Sequence, residues 1–535
     1  MPLTKNVVLF LVFVMLLLCS LSGCIFDNLF GGTSFSLSSW SVCDDDGFPG
    51  ISFIFSCSGT VTVKLLGPDS KLLDSDSFFK GDHNAIFHLA EYRRSVTPGS
   101  YKLRAYDKDN KEIKSETFSF TGVDLSILSC DQKWWKREVW FGGYSLFGLG
   151  LNVQNNGDTP AYPYDISATM DSKIITGLAL PTVILPEESK NVDCFVYRDK
   201  SPTNSEFTLN LKDVEGNVLA NGAYSVNVVN NVPVQQFSWR YSNGVRRVNI
   251  PRSEYLYDYY IGLNRTNNED YSLYVFDPYD DQYVDIVIDA IMFGFGGATD
   301  LEKINFIASF VQSLEYKSDS STDSSYEYPR YPIETLFNGN GGGDCEDKAI
   351  LVASLLKNLE YNVSLLRFPN HMAVGVNLSK SANPVYDYYV DGYFFLETTT
   401  EGKPCGFVPS EYRESVSEVS VYPVSSRPLL IHNWQNSSIT IFTNTERGDF
   451  VKVTLILENL GIDTAKNIVV EGGFFTSNEI KINYKNTTIS SLDPGVKKRV
   501  TLSVDIPKSY TTLFKTRIYL DGKVVDEKES ASSFP

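Results

Sequence analysis

Two stretches far apart in the chain repeat each other, and this constrains the fold more than any other feature. Val153-Gln154-Asn155-Asn156-Gly157-Asp158-Thr159 recurs as Leu457-Glu458-Asn459-Leu460-Gly461-Ile462-Asp463-Thr464. Further along each copy, Leu185-Pro186-Glu187-Glu188-Ser189-Lys190 matches Leu492-Asp493-Pro494-Gly495-Val496-Lys497. Each copy ends in a hairpin signal, Asp213-Val214-Glu215-Gly216-Asn217 in one and Asp521-Gly522-Lys523 in the other, and an earlier segment shares that ending at Asp107-Lys108-Asp109-Asn110-Lys111. Around them runs turn-rich sequence with period-two alternation, as in Tyr101-Lys102-Leu103-Arg104-Ala105-Tyr106. Residues 35–230 and 430–535 are therefore expected to form β-sandwiches.

The region between the copies, 236–425, has a different period. Ile304, Ile307, Ala308, Val311 and Leu314 recur at helical spacing after a capping Thr299, and Ala349, Val352, Leu355, Leu356 and Leu359 do so after Asp344. A Ser- and Asp-rich stretch from Lys317 to Ser325 reads as a loop between them. Residues Asn362 to Arg367, His371 to Leu378 and Tyr388 to Thr398 read as strands of an antiparallel sheet.

The β-type segments, most clearly 140–230 and 440–530, resemble the immunoglobulin-like, adhesion-related modules of cell-surface proteins. That resemblance implies a fold and says little about ligand. The first 30 residues are unlike the rest: Lys5, an apolar run from Val7 to Leu18, then Leu21-Ser22-Gly23-Cys24. This resembles a lipoprotein signal and implies lipid attachment at Cys24; an uncleaved single membrane span is the alternative. Either places the rest of the chain outside the cell, attached to the membrane through its N-terminus. The net charge of −18 excludes nucleic acid as a partner, because such a chain repels phosphate. Cysteine usage fits an oxidising compartment: Cys43/Cys57 and Cys130/Cys194 each fall inside one expected sandwich and read as disulfides, with buried thiols as the alternative. No cysteines show zinc spacing, and no cofactor or metal is expected.

Beyond Cys19, which lies in the N-terminal segment with Cys24, Cys345 and Cys405 remain. Gly341-Gly342-Gly343-Asp344-Cys345-Glu346-Asp347 puts a thiol where a glycine loop turns into a helix, and unsatisfied N–H groups and the helix dipole favour the thiolate there. The flanking acids are expected to cap the helix and face solvent. Of only four histidines, His371 alone lies inside this region. It opens the run His371-Met372-Ala373-Val374-Gly375-Val376, whose small residues leave room beside the ring. Glu397 closes Tyr393-Phe394-Phe395-Leu396-Glu397 and is the carboxylate expected to orient the imidazole, with Asp391 as fallback.

Together with Pro332-Ile333-Glu334-Thr335-Leu336 and Glu397-Thr398-Thr399, these residues resemble the transglutaminase-like superfamily, in particular its prokaryotic surface members. The resemblance implies a papain-like α+β domain with Cys345 as nucleophile, His371 as base and Glu397 where an Asp is usual. The layout also resembles surface proteins of methanogenic archaea. The expected fold class is therefore multidomain: an α+β transglutaminase-like (papain-like) domain at 236–425, flanked by immunoglobulin-like β-sandwiches at 25–122, 123–232 and 430–535, behind the segment 1–24. The implied chemistry is acyl transfer or hydrolysis at amide bonds of a protein or cell-envelope polymer. The backbone N–H of Cys345 would hold the oxyanion, with Asn338 or Asn340 as second donor. The competing reading is a catalytically silent surface adhesion or scaffold protein. Asp277-Pro278-Tyr279-Asp280-Asp281 with Asp285 reads as a solvated helix start rather than a calcium loop.

Overall fold

The computed structural model describes residues 32–534, apart from 138–142, 266–269, 298, 320–327, 380–388, 415–417, 425–426, 436–438, 444, 446–447 and 509. The expected anchor and Cys24 lie outside the described residues. The chain divides into two compact units, one comprising residues up to 90 with 96–122, the other 91–95 with everything from 123 onward.

In the first unit, the antiparallel strands Phe35–Asp45, Phe48–Cys57 and Gly81–His88 form one sheet, and Leu72–Phe78, Val61–Leu66, Gly99–Asp107 and Glu112–Phe120 form a second. Val61, Val63 and Leu65 are buried while Thr62 and Lys64 between them are not, so the period of two puts one face of each strand inside. Phe53, Phe55, Leu103 and Phe118 complete a core shared by both sheets. The expected Cys43–Cys57 disulfide is corrected: both are free thiols. Cys43 pairs with Gly50, and Cys57 lies seven residues further along that strand, a separation of about 23 Å at about 3.3 Å per residue.

The second unit contains both copies of the repeat. Strands Ser189–Cys194, Tyr144–Asn155 and Leu125–Lys136 face the sheet Lys173–Leu178, Asp165–Met170, Glu206–Lys212, Val218–Ser225. The repeat has a physical reason. Asn155 Nδ2 donates to the carbonyls of Thr159 (2.8 Å) and Ile184 (3.0 Å), and its Oδ1 accepts from Gly157 N (3.0 Å). Asn459 makes the same three bonds to Asp463 (2.8 Å), Leu492 (3.0 Å) and Gly461 N (3.1 Å). A buried amide that ties a strand end to two loops needs both its donor and its acceptor, which is why Asn-x-Gly recurs.

Cys130 and Cys194 are also free, contrary to expectation. Their strands flank Tyr144–Asn155 on opposite sides, with Cys130 opposite Leu151 and Cys194 opposite Leu149, so two strand spacings of about 4.8 Å part them. A disulfide requires Cα atoms within about 7 Å.

In the C-terminal sandwich, Leu430–Trp434, Thr440–Phe442 and Lys497–Asp505 pair with Phe450–Asn459, and Lys481–Leu492, Ala465–Phe475, Leu513–Leu520 and Lys523–Glu529 form the facing sheet. A buried relay crosses the two: His432 Nδ1 lies 2.7 Å from Asp526 Oδ2, its Nε2 lies 2.6 Å from Thr516 Oγ1, and Trp434 Nε1 donates to the same hydroxyl at 2.7 Å.

The expected α+β (papain-like) fold class is overturned by the weight of β-structure. The described residues are 50% strand and 14% helix. Even the central region carries the ribbon Val234–Tyr241/Gly244–Pro251 and a five-stranded antiparallel sheet, ordered Tyr389–Val390, Tyr393–Leu396, His371–Val376, Val363–Phe368, Ser420–Val424. The two strongly periodic segments are helices, Asp300–Gln312 with a Thr299/Glu302 capping box and Cys345–Asn358, but the longest described helix has 14 residues.

The Cys345–Asn358 helix is buried from Glu346 to Leu356. It packs against the strands Val363–Phe368 and His371–Val376 and against the helices Asp281–Met292 and Asp300–Gln312. Asp280 is buried and Asp277 and Asp281 are half-buried while Asp285 is exposed, so the acidic run opens the helix Asp281–Met292 with one side turned inward; Tyr260 Oη donates to Asp277 Oδ1 at 2.7 Å. Among the described residues no helix is long and apolar enough to cross a membrane.

Candidate active site

Backbone crowding explains the glycine loop. Gly341 (φ 91°) and Gly342 (φ 151°) lie in the region that favours glycine, and a Cβ on Gly342 would meet the Glu315 carbonyl oxygen at 2.3 Å. One on Gly343 would meet the Asp347 side chain at 2.4 Å. This close approach lets Glu315–Tyr316 pair in parallel with Gly342–Gly343, with Lys317 N donating to Gly343 O at 3.0 Å. The helix then starts at Cys345 itself, with Asp344 as its extended N-cap.

The sulfur is not primed as a thiolate. Cys345 Sγ donates to Glu346 Oε2 at 3.2 Å. Burial pushes its pKa well above the ordinary thiol value, and the charge and hydrogen bond of Glu346 add to this; the Met372 backbone N–H opposes them. Desolvation beside carboxylates thus outweighs the helix dipole. The Met372 contact also puts the sulfur beside the start of the His371 strand.

His371 Nε2 lies 3.2 Å from Glu397 Oε2, and both side chains are buried. Glu397 immediately follows the strand Tyr393–Leu396, so the hairpin at Asp391 (φ 45°) and Gly392 (φ 95°) delivers it to the ring. Asp391 is a turn residue. The second oxygen of Glu397 accepts from Thr399 N (2.7 Å), from the Thr399 hydroxyl and from Thr400 N (3.3 Å). Burial alone would raise this carboxyl, but the hydrogen bond and charge of His371 and the Thr399 donors outweigh it and hold the pKa at about 2. With Nε2 on Glu397, Nδ1 is the ring nitrogen that this carboxylate does not hold.

The room expected beside the ring is taken: a Cβ on Gly375 would meet Ser364 Oγ at 2.4 Å, and Tyr412 stacks on the imidazole with centroids 4.2 Å apart and planes 3° apart.

The acids flanking Cys345 face inward, correcting the expectation of solvent exposure. Asp347 accepts from Arg330 N at 2.7 Å and pairs with its guanidinium, which also holds Asp319 at 2.9 Å. Burial and Asp344 push Asp347 up to about 7 against the pull of Arg330. Asp319, Asp344 and Glu346 each bring an oxygen within 4.8 Å of the others, a spacing that could hold a cation; Arg330 already supplies one to Asp319. Behind the site, Gln312 Nε2 donates to the carbonyls of Glu397 and Lys403, both at 2.8 Å, and buried Lys348 donates to Leu314 O at 2.8 Å.

Asn338 Nδ2 donates to Gly342 O at 3.2 Å and so braces the loop; Asn340 is exposed. Cys405 is buried and free. Sequence reasoning missed Glu346 as the partner of the thiol, Thr399 as the clamp on Glu397, Arg330, and Tyr412. Glu346, adjacent to Cys345, and Thr399, inside the Glu397-Thr398-Thr399 motif, carried a local signal; Arg330 and Tyr412 did not.

No family model and no curated protein matches this chain. Among solved structures, a transglutaminase of red sea bream aligns at 9% identity and TM-score 0.21 over 72% of this chain and 80% of that one. A β-glucuronidase of glycoside hydrolase family 2 aligns at 13% and 0.16 over 32% and 21%. The exo-chitosanase CsxA of Amycolatopsis orientalis aligns at 9% and 0.15 over 90% and 76%. At such TM-scores these likenesses carry no argument, and none bears on archaeal origin or adhesion.

Proposed function

We propose that this protein is a transglutaminase-like cysteine enzyme that transfers or hydrolyses acyl groups at amide carbonyls, with Cys345 as nucleophile, His371 as base and Glu397 as the carboxylate that orients it. The observation that carries the proposal is the buried Glu397–His371 pair beside the first turn of the Cys345 helix. In the first half-reaction the sulfur bonds to the carbonyl carbon as its proton passes to His371 Nδ1. The tetrahedral intermediate then collapses, and the imidazolium returns the proton to the departing amine or ammonia, leaving a thioester. In the second half-reaction water or another amine attacks the thioester carbon, His371 takes the attacker's proton, and the sulfur leaves and is reprotonated. A positioned base of this kind contributes about 10²–10⁴ in rate.

The proposal extends to place: the N-terminal signal puts this chemistry on the outer face of the cell, attached through Cys24 or a single span and directed at protein or envelope polymer. A glutamine-containing peptide, offered with and without a primary amine, tests it. Ammonia release by the wild type and none by Cys345→Ala supports the reading, and the product, acid or amide conjugate, separates hydrolysis from transfer. A second reading, the silent adhesion or scaffold protein, is favoured by the bond from the thiol to Glu346. Absence of turnover on the peptide and on isolated cell envelope would decide for it.

A further inference from the structure

Tyr412 belongs to no motif, yet it makes the closest ring contact to His371. It ends a short turn, Ser410–Tyr412, in which Tyr412 N donates to Pro409 O and Arg413 Nε donates to Val408 O, both at 3.1 Å. Its ring packs into a small apolar cluster with Leu366, Phe368, Ala373, Phe395 and Val408. Phe368 stands 5.8 Å from it at 47° and fixes it from the side. The parallel stack on His371, at 4.2 Å and 3°, is therefore held from both ends.

We infer that Tyr412 is a positioning residue for His371, an inference that rests on the function proposed above. The stack sets the plane of the imidazole, so that Nε2 stays on Glu397 and Nδ1 faces the sulfur. The negative face of the phenol ring also favours the imidazolium over the neutral ring at the moment the Cys345 proton arrives. Other groups share control of that charge: Glu397 from the end of its strand, Cys345 and Glu346 from the helix, and Glu411 beside Tyr412 in the turn. The stack adds a term that acts on ring orientation and protonation together. Phenylalanine in its place keeps the face, and leucine removes it.

The test uses the full chain with labelled histidines and reads the His371 pKa by NMR, His371→Gln assigning its signal among the four. Tyr412→Leu is expected to lower that pKa by about 0.5–1 unit, and Tyr412→Phe to leave it near the wild-type value. In acylation of Cys345 by an activated ester, Tyr412→Leu is expected to slow the chemical step by about 3–10-fold at unchanged KM, as loss of a contact to the base and not to substrate requires. Should leucine loosen the turn, Tyr412→Met fills a similar volume without a ring and makes the same comparison. An unchanged His371 pKa in the leucine and methionine variants overturns the inference, as does a phenylalanine variant as slow as the leucine one. A wild type that never acylates while the pKa falls as expected refutes the proposed function and leaves the stack standing.

Discussion

Replacing Glu346 with Gln removes the carboxylate that holds the Cys345 proton, and the structure sets the size of the effect. At 3.2 Å a thiolate and a carboxylate repel by about 5 kcal/mol at an effective dielectric constant near 20. Cys345 is partly exposed, and water screens the pair to about 1.5–3 kcal/mol, so that loss of the carboxylate lowers the thiol pKa by about 1–2 units. Below that pKa, each unit multiplies the thiolate fraction tenfold, while the weaker nucleophile gives back roughly half of the gain on a logarithmic scale, leaving about threefold per unit. Alkylation of Cys345 by iodoacetamide, followed by mass spectrometry at mildly alkaline pH, should therefore run about 3–10 times faster in Glu346→Gln than in the wild type. Equal or slower labelling would mean that burial alone sets the thiol and that Glu346 does not restrain it.

Glu397 is held below its ordinary value, so its contribution to stability is present above about 4.5 and fades as the pH falls toward about 2; over that window the wild type should lose an advantage of about 2–3 kcal/mol over Glu397→Gln, measured by urea unfolding. A gap between the two proteins that does not close would refute the assignment of its charge. Thr516→Val strands His432 Nε2 and Trp434 Nε1 in the C-terminal sandwich and should cost about 2–4 kcal/mol by chemical unfolding, with Cys345 labelling unchanged; a cost below about 1 kcal/mol would show that the relay is not satisfied through that hydroxyl. Thiol titration in denaturant without reductant should find Cys43, Cys57, Cys130, Cys194, Cys345 and Cys405 all reactive, and a protected pair would contradict the strand registers.

What could be foreseen follows the range of the interactions. Thr299, the apolar spacing after it and Glu302 form a local capping box, and the helix lies where its period places it. Asn155 and Asn459 bond within a few residues of themselves as well as across the sandwich, so the motif survives as a repeat. The places of Cys345 at a helix start, His371 at a strand start and Glu397 just after a strand were legible because each is set by a local signal: the glycine loop, the alternating run and the hairpin at Asp391-Gly392. Disulfides were not, because two cysteines in one sandwich say nothing of register, and Cys43 and Cys57 sit toward opposite ends of their hairpin. The inward turn of Asp347 depends on Arg330, the lowered Glu397 on His371 first and then on Thr399, and the imidazole stack on a turn between the strands Tyr393–Leu396 and Ser420–Val424.

The central claim is that Cys345 accepts an acyl group with the help of His371, and one rapid-mixing measurement with p-nitrophenyl acetate tests it directly. The account predicts a burst of nitrophenol matched by one acetyl group on Cys345 in the intact-mass spectrum, absent in Cys345→Ala and at least about 100-fold slower in His371→Gln. No acetyl group on Cys345, or equal bursts in the wild type and His371→Gln, would contradict it.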